Sequence, residues 1–215
     1  MRKNNFEICP EGMPIIGISA LATLVLAVLG WDIIAIIALL FTIFSLLFFR
    51  DPTRVSPQEA GIAVSPADGK VIRIAQSEDP LGQGQRLCIS IFMNVFNVHV
   101  NRAPISGTVS TIRYFPGYFF NASLDKASAN NERCALGLKD EQGRDWTVVQ
   151  IAGLIARRIV CRVAEGETLE LGERFGLIKF GSRVDLYLPE GYEASVYLGE
   201  HVLAGQTILA RLARK

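Results

Sequence analysis

Asp68, His99 and Ser182 have the side chains needed to activate a hydroxyl nucleophile, and they occur in that order along the chain. A serine hydroxyl attacks poorly until a base takes its proton, and an imidazole is a better base when a carboxylate orients it. Ser182 follows Gly181, and beyond it Val184, Leu186 and Leu188 alternate with Arg183, Asp185 and Tyr187. That alternation predicts a strand that opens at a Gly-Ser turn. His99 is one of two histidines; it shares its side of an alternating run with Asn97 and Asn101, opposite Val98 and Val100. Asp68 stands before Gly69 in a standard turn pair. Taken singly, each has an ordinary structural reading as a turn or a solvated strand histidine, and their conjunction is what points to chemistry. His201, after Gly199-Glu200, reads as a surface turn residue.

Other chemistries are excluded by pattern. Gly82-Gln83-Gly84 lacks the third glycine and the Lys-Ser/Thr of a phosphate loop. No Gly-x-Ser-x-Gly elbow is present, which argues against a membrane-bound serine hydrolase that uses the same three residues for turnover. Cys9, Cys88, Cys134 and Cys161 form no Cys-x-x-Cys pair, so neither a zinc site nor a disulfide framework is expected, and reduced thiols facing the cytosol fit best. A net charge of +1 provides no field for nucleic acid.

Half of the 215 residues are hydrophobic, and the excess lies between Met13 and Phe49. Residues 13–30 and 33–49 are apolar runs separated by Trp31-Asp32. One continuous helix of about 37 residues would be roughly 55 Å long, against a hydrocarbon core of ~30 Å. Two short spans joined by a tight turn fit better, with a re-entrant hairpin as the alternative. Arg2 and Lys3 before the first run, and Arg50 and Arg54 after the second, predict that both ends face the cytoplasm. A signal peptide is disfavoured because a second apolar run follows at once. The expected organisation is a membrane anchor over 1–50 and a catalytic β domain over 51–215.

Beyond a polar linker, residues 69–75, 86–92, 108–114, 146–152 and 184–188 read as short strands. Three pieces are alike: Pro-Ala-Asp-Gly-Lys-Val at 66–71, Pro-Ile-Ser-Gly-Thr-Val at 104–109, and a Gly-rich piece at 199–209. They resemble the half-motifs of the biotinyl/lipoyl hammerhead and predict a mainly β, compact sandwich or barrel. A non-catalytic carrier with this fold would need a modified-lysine turn such as Ala-Met-Lys-Met, which is lacking. A helix is expected after Asn121, and an ion-paired loop at 131–133. The aromatic loop at 115–120 is either a core corner or a surface that dips among lipid headgroups.

The Pro-Ala-Asp-Gly segment at 66–69, Asn-Val-His-Val-Asn-Arg at 97–102 and Phe-Gly-Ser-Arg-Val-Asp at 180–185 together resemble the short class of phosphatidylserine decarboxylases. The resemblance runs from about Pro52 to the C-terminus. Longer members carry Leu-Gly-Ser-Thr at the cut and a second histidine three residues before the catalytic one; here Phe-Gly-Ser-Arg and Phe96 stand in those places, as subclass markers. The resemblance implies self-cleavage between Gly181 and Ser182, conversion of Ser182 to a pyruvoyl group, His99 as base and Asp68 as its orienting carboxylate. It implies decarboxylation of phosphatidylserine to phosphatidylethanolamine, through a Schiff base with the substrate amine, without pyridoxal phosphate or a metal. The expected partners are the lipid, the cell membrane on its cytoplasmic face, and the second of the two cut chains. These chains form a heterodimer, and their interweaving would suit a further homodimer.

Overall fold

A computed structural model divides the chain into two units, Met1–Thr53 and Arg54–Lys215. It describes residues 6–122, 130–154, 158–179 and 182–213.

In the first unit, strand β1 (Phe6–Ile8) leads into helices α1 (Met13–Val28) and α2 (Asp32–Phe48), followed by β2 (Arg50–Pro52). Gly30, at φ +72°, takes the left-handed conformation that ends α1 and turns the chain back. Thr23 and Thr42 meet between the helices, with hydroxyl oxygens 3.3 Å apart. Leu21, Leu24, Val28, Ile33, Ile37 and Leu40 point outward, as in a helix pair that meets lipid. The helical stretch Pro10–Val28 is long and apolar enough to cross a membrane, while α2 is shorter. Antiparallel pairing of β1 with β2 ties the two ends of the hairpin together. Gly12 packs so closely on the Phe49 ring that a Cβ there would overlap it.

The second unit contains β3 (Ile62–Val64), β4 (Gly69–Glu78), β5 (Gln85–Met93), β6 (Val100–Arg102), β7 (Gly107–Phe115), β8 (Arg133–Lys139), β9 (Asp145–Ala152), β10 (Ile159–Cys161), β11 (Thr168–Leu169), β12 (Arg174–Ile178), β13 (Ser182–Tyr187), β14 (Tyr192–Ala194), β15 (His201–Val202) and β16 (Ile208–Leu212). An eight-stranded antiparallel sheet runs β11-β7-β8-β9-β13-β5-β4-β15, and two three-stranded sheets run β10-β12-β6 and β14-β16-β3. All three contribute to one core, which includes Ala63, Val71, Ile91, Phe175, Val184 and Leu209. The mainly β expectation is met, and the five predicted strands correspond to β4, β5, β7, β9 and β13. The helix expected after Asn121 falls mostly on 123–129, outside the described residues.

This arrangement is a repeat. The large sheet reads the same from either edge, with β9 and β13 adjacent at its centre. One half, β6 to β12, is continuous. The other, β3–β5 with β13–β16, is split by it, so the chain re-enters the split half at Ser182. Registers match: Lys70, Phe92 and Arg183 lie in one row, and Thr108, Lys139 and Asp145 in the other. Both halves break register just inside the first long strand, between Val71 and Arg73 and between Val109 and Thr111. Gly69 and Gly107 open these strands because a Cβ would strike the carbonyl oxygen of Phe92 or of Lys139. The Gly-rich piece at 199–207 has its counterpart in Gly-Glu-Thr-Leu-Glu-Leu-Gly-Glu-Arg at 166–174.

Candidate active site

Ser182 opens β13 in the middle of the large sheet, paired with Met93 of β5 and Ala152 of β9. Alternation turns its side chain to the core face, together with Val184 and Leu186. It is wholly buried. Its Oγ donates to the Met93 sulfur at 3.3 Å, a weak acceptor that holds the hydroxyl loosely. Gly181 lies outside the described residues.

His99 immediately precedes β6 and is 1% exposed. The pairing of β6 with β12 carries on so that Ile178 N–H donates to the His99 carbonyl at 3.3 Å. His99, remote in sequence, is thus brought to the chain just ahead of Ser182. The ring Nδ1 lies 2.9 Å from the Asn97 carbonyl oxygen. A carbonyl can only accept, so Nδ1 carries the proton and Nε2 is the basic nitrogen.

Asp68 is buried at the head of β4. Its carboxylate takes both arms of Arg54, with Nη2 2.7 Å from Oδ2, and the Ala204 N–H donates to Oδ1 at 2.7 Å. The fork-on-fork geometry fixes the carboxylate plane. β5 separates β4 from β13, so Asp68 lies about two strand spacings, roughly 10 Å, from Ser182. His201, on β15 beside Lys70, is exposed, as expected of a surface residue.

On the opposite face of β13, Arg183 is fully buried. It donates to Asp185 through Nε at 2.6 Å and Nη2 at 3.0 Å, and to Ser90 Oγ at 2.8 Å. Burial opposes its charge, but Asp185 more than offsets this and moves its pKa up. The Arg183–Ser90 bond also ties β13 to β5.

Three residues were missed as site components. Asn131, expected only as part of an ion-paired loop, is a buried amide clamp: it donates to the Phe120 carbonyl at 2.8 Å and to the Ala152 carbonyl at 2.7 Å, and accepts from Phe120 N–H at 3.0 Å. It thereby fastens the aromatic loop to the residue paired with Ser182. In that loop Phe119 packs on the core, while Tyr118 and Phe120 are exposed. Gln150 lies on the same face of the large sheet as Ser182, and Asn101 of β6 is joined to it by a 2.8 Å bond. Asn101 was visible only as a neighbour of His99, and nothing local marks Gln150.

The family model for phosphatidylserine decarboxylase matches residues 41–210. The chain belongs to the phosphatidylserine decarboxylase family. It is 60% identical over 211 residues to a phosphatidylserine decarboxylase proenzyme of Nitratidesulfovibrio vulgaris, covering 98% of this chain and 97% of that one. A proenzyme of the same name from Ruegeria pomeroyi is 54% identical over 94% of each chain, and one from Burkholderia mallei 49% over 95% of each. The chain is therefore an enzyme of the phosphatidylserine decarboxylase family. Among the described residues, no group of His, Cys, Asp and Glu side chains is arranged to hold a metal ion.

Position 182 is dry and starts a strand rather than interrupting one, and the Met93 sulfur that receives its hydroxyl is also contacted by the Asn101 amide.

Proposed function

We propose that this chain is a proenzyme that cuts itself between Gly181 and Ser182, and that the mature form decarboxylates phosphatidylserine to phosphatidylethanolamine and carbon dioxide. The observation that carries this reading is a buried serine at the head of a central strand, with a histidine of defined tautomer paired to the chain just before it.

Ser182 Oγ attacks the Gly181 carbonyl carbon while His99 Nε2 takes the hydroxyl proton. The C–N bond breaks, the nitrogen recovers the proton, and an ester joins the two residues. Loss of the Cα proton of residue 182 expels the Gly181 carboxylate and leaves a dehydroalanine. Addition of water and release of ammonia give the pyruvoyl ketone. That group supplies the electron sink that decarboxylation of an amino acid requires. His99 then holds the proton returned to the product carbon. Asp68 supports the site as its fixed carboxylate, through the Arg54 pair and the turn it caps. The helical hairpin anchors the enzyme in the cell membrane, with its catalytic unit on the cytoplasmic face.

Intact mass tests this directly. Active protein should consist of residues 1–181 and a 34-residue piece, 182–215, blocked to Edman sequencing by its ketone. Cyanoborohydride with phosphatidylserine should trap lipid on the short piece alone. Ser182→Ala should remain whole and inactive, and His99→Ala should remain mostly whole. Full activity in an uncut preparation, or a free serine at position 182 of the active enzyme, would overturn the reading.

A further inference from the structure

We infer that Asn101 and Gln150 are positioning residues for position 182; this rests on the self-cleavage proposed above. Gln150 Nε2 donates to Asn101 Oδ1 at 2.8 Å, which fixes the orientation of the amide and turns its NH2 to Met93. That NH2 contacts the Met93 sulfur at 3.9 Å, the same sulfur that receives the Ser182 hydroxyl at 3.3 Å. The two donors converge on one soft acceptor. Asn101 is fully buried and Gln150 is 1% exposed. A buried amide that spends its NH2 on a thioether is under-satisfied, and such a donor is expensive unless it serves an oxygen that becomes more negative.

The repeat shows that the fold itself does not need this pair. In the split half, Ala63 pairs with Ala210 where Asn101 pairs with Gly176 in the inserted half. Leu188 lies five residues beyond Arg183, as Gln150 lies five beyond Asp145, its symmetry mate. Ala63 and Leu188 are buried and apolar. Only the half whose inner face meets Ser182 carries the amides. Gly176 lies against both this pair and the neighbouring strand: a Cβ there would strike the Val160 carbonyl oxygen and come within 3.1 Å of Gln150 Nε2. Gln150 thus locks Asn101, and Asn101 with Met93 holds the Ser182 hydroxyl on a weak acceptor, ready to transfer its proton to His99.

The test follows processing of freshly synthesised full-length chain. Near-isosteric Asn101→Leu should slow appearance of the short piece about 100-fold and Gln150→Leu about 10-fold, as expected for loss of preorganised donors and orientation. The double variant should be no slower than Asn101→Leu alone, because Gln150 acts through Asn101. Hydroxylamine, which cuts at an ester, should release no extra fragment from the variants, placing the defect at the attack of Ser182. Near-UV circular dichroism should match wild type. Wild-type cutting rates in Asn101→Leu, additive effects in the double variant, or hydroxylamine-sensitive ester accumulating in the singles would each overturn the inference. If the wild-type chain itself never cuts, the proposed function falls first and this role with it.

Discussion

The split and inserted halves build one turn twice, with different chemistry. In the inserted half, Ser106 Oγ accepts from Leu171 N–H at 2.9 Å, and Ser56 Oγ donates to the Leu171 carbonyl at 3.2 Å. In the split half the same two backbone groups belong to Ala204: Asp68 accepts from its N–H, and Arg54 donates to its carbonyl at 2.8 Å. Neutral hydroxyls therefore suffice to close this turn. A buried ion pair costs desolvation and is seldom kept for stability alone. The charged version stands at the head of β4, one strand from Met93 and two from Ser182. The neutral version stands at the head of β7, beside Lys139. The difference separates what the fold requires from what the site adds.

The largest expected effect tests the equivalence itself. Gly69→Ala and Gly107→Ala each drive a Cβ into a backbone oxygen that cannot withdraw without opening a ladder. Both should lose on the order of 3–5 kcal/mol in urea melts. A tolerated Gly107→Ala beside an unfolded Gly69→Ala would mean that the two turns are not the same device.

The next effect separates charge from capping. Asp68→Ala should cost about 3–5 kcal/mol, because it leaves Arg54 buried without its partner. Arg54→Gln with Asp68→Asn keeps the shapes and removes both charges, so most of that stability should return. Cutting should nevertheless stay slowed by ~10²–10⁴-fold if the carboxylate serves the site. Wild-type cutting in the neutral double variant would reduce Asp68 to a turn cap like Ser106.

Smaller still, Ser106→Ala should lose about 1 kcal/mol by leaving the Leu171 N–H without its acceptor, with cutting unchanged by gel assay. His201→Ala, on the exposed edge strand of the split half, should change neither melting temperature nor cutting.

The repeat also bears on the fate of the chain if it is cut as proposed. A break before Ser182 falls where the chain re-enters the split half. The released piece keeps β13, hydrogen-bonded to β5 on one side and β9 on the other. Removing it would expose two strand edges in the middle of a sheet, so the pieces should separate only on denaturation.

Much of this was written locally. Alternation marked β4, β5, β7, β9 and β13, the Asp-Gly pair marked the turn ahead of β4, and apolar runs around Gly30-Trp31-Asp32 marked the helical hairpin, because side-chain period and backbone permissiveness are properties of neighbouring residues. Ser182, His99 and Asp68 could be singled out as candidates for the same reason: each stands in a short motif. The second Gly-rich piece at 166–174 was present in the letters, but its meaning needed the registers that match it to 199–207. Only the tertiary structure decided that β13 lies between β5 and β9, that Arg54 meets Asp68, and that Gln150 meets Asn101. Such pairings join residues far apart in the chain, and no local preference encodes them. They are chosen by which faces can be buried together once every strand has found its place.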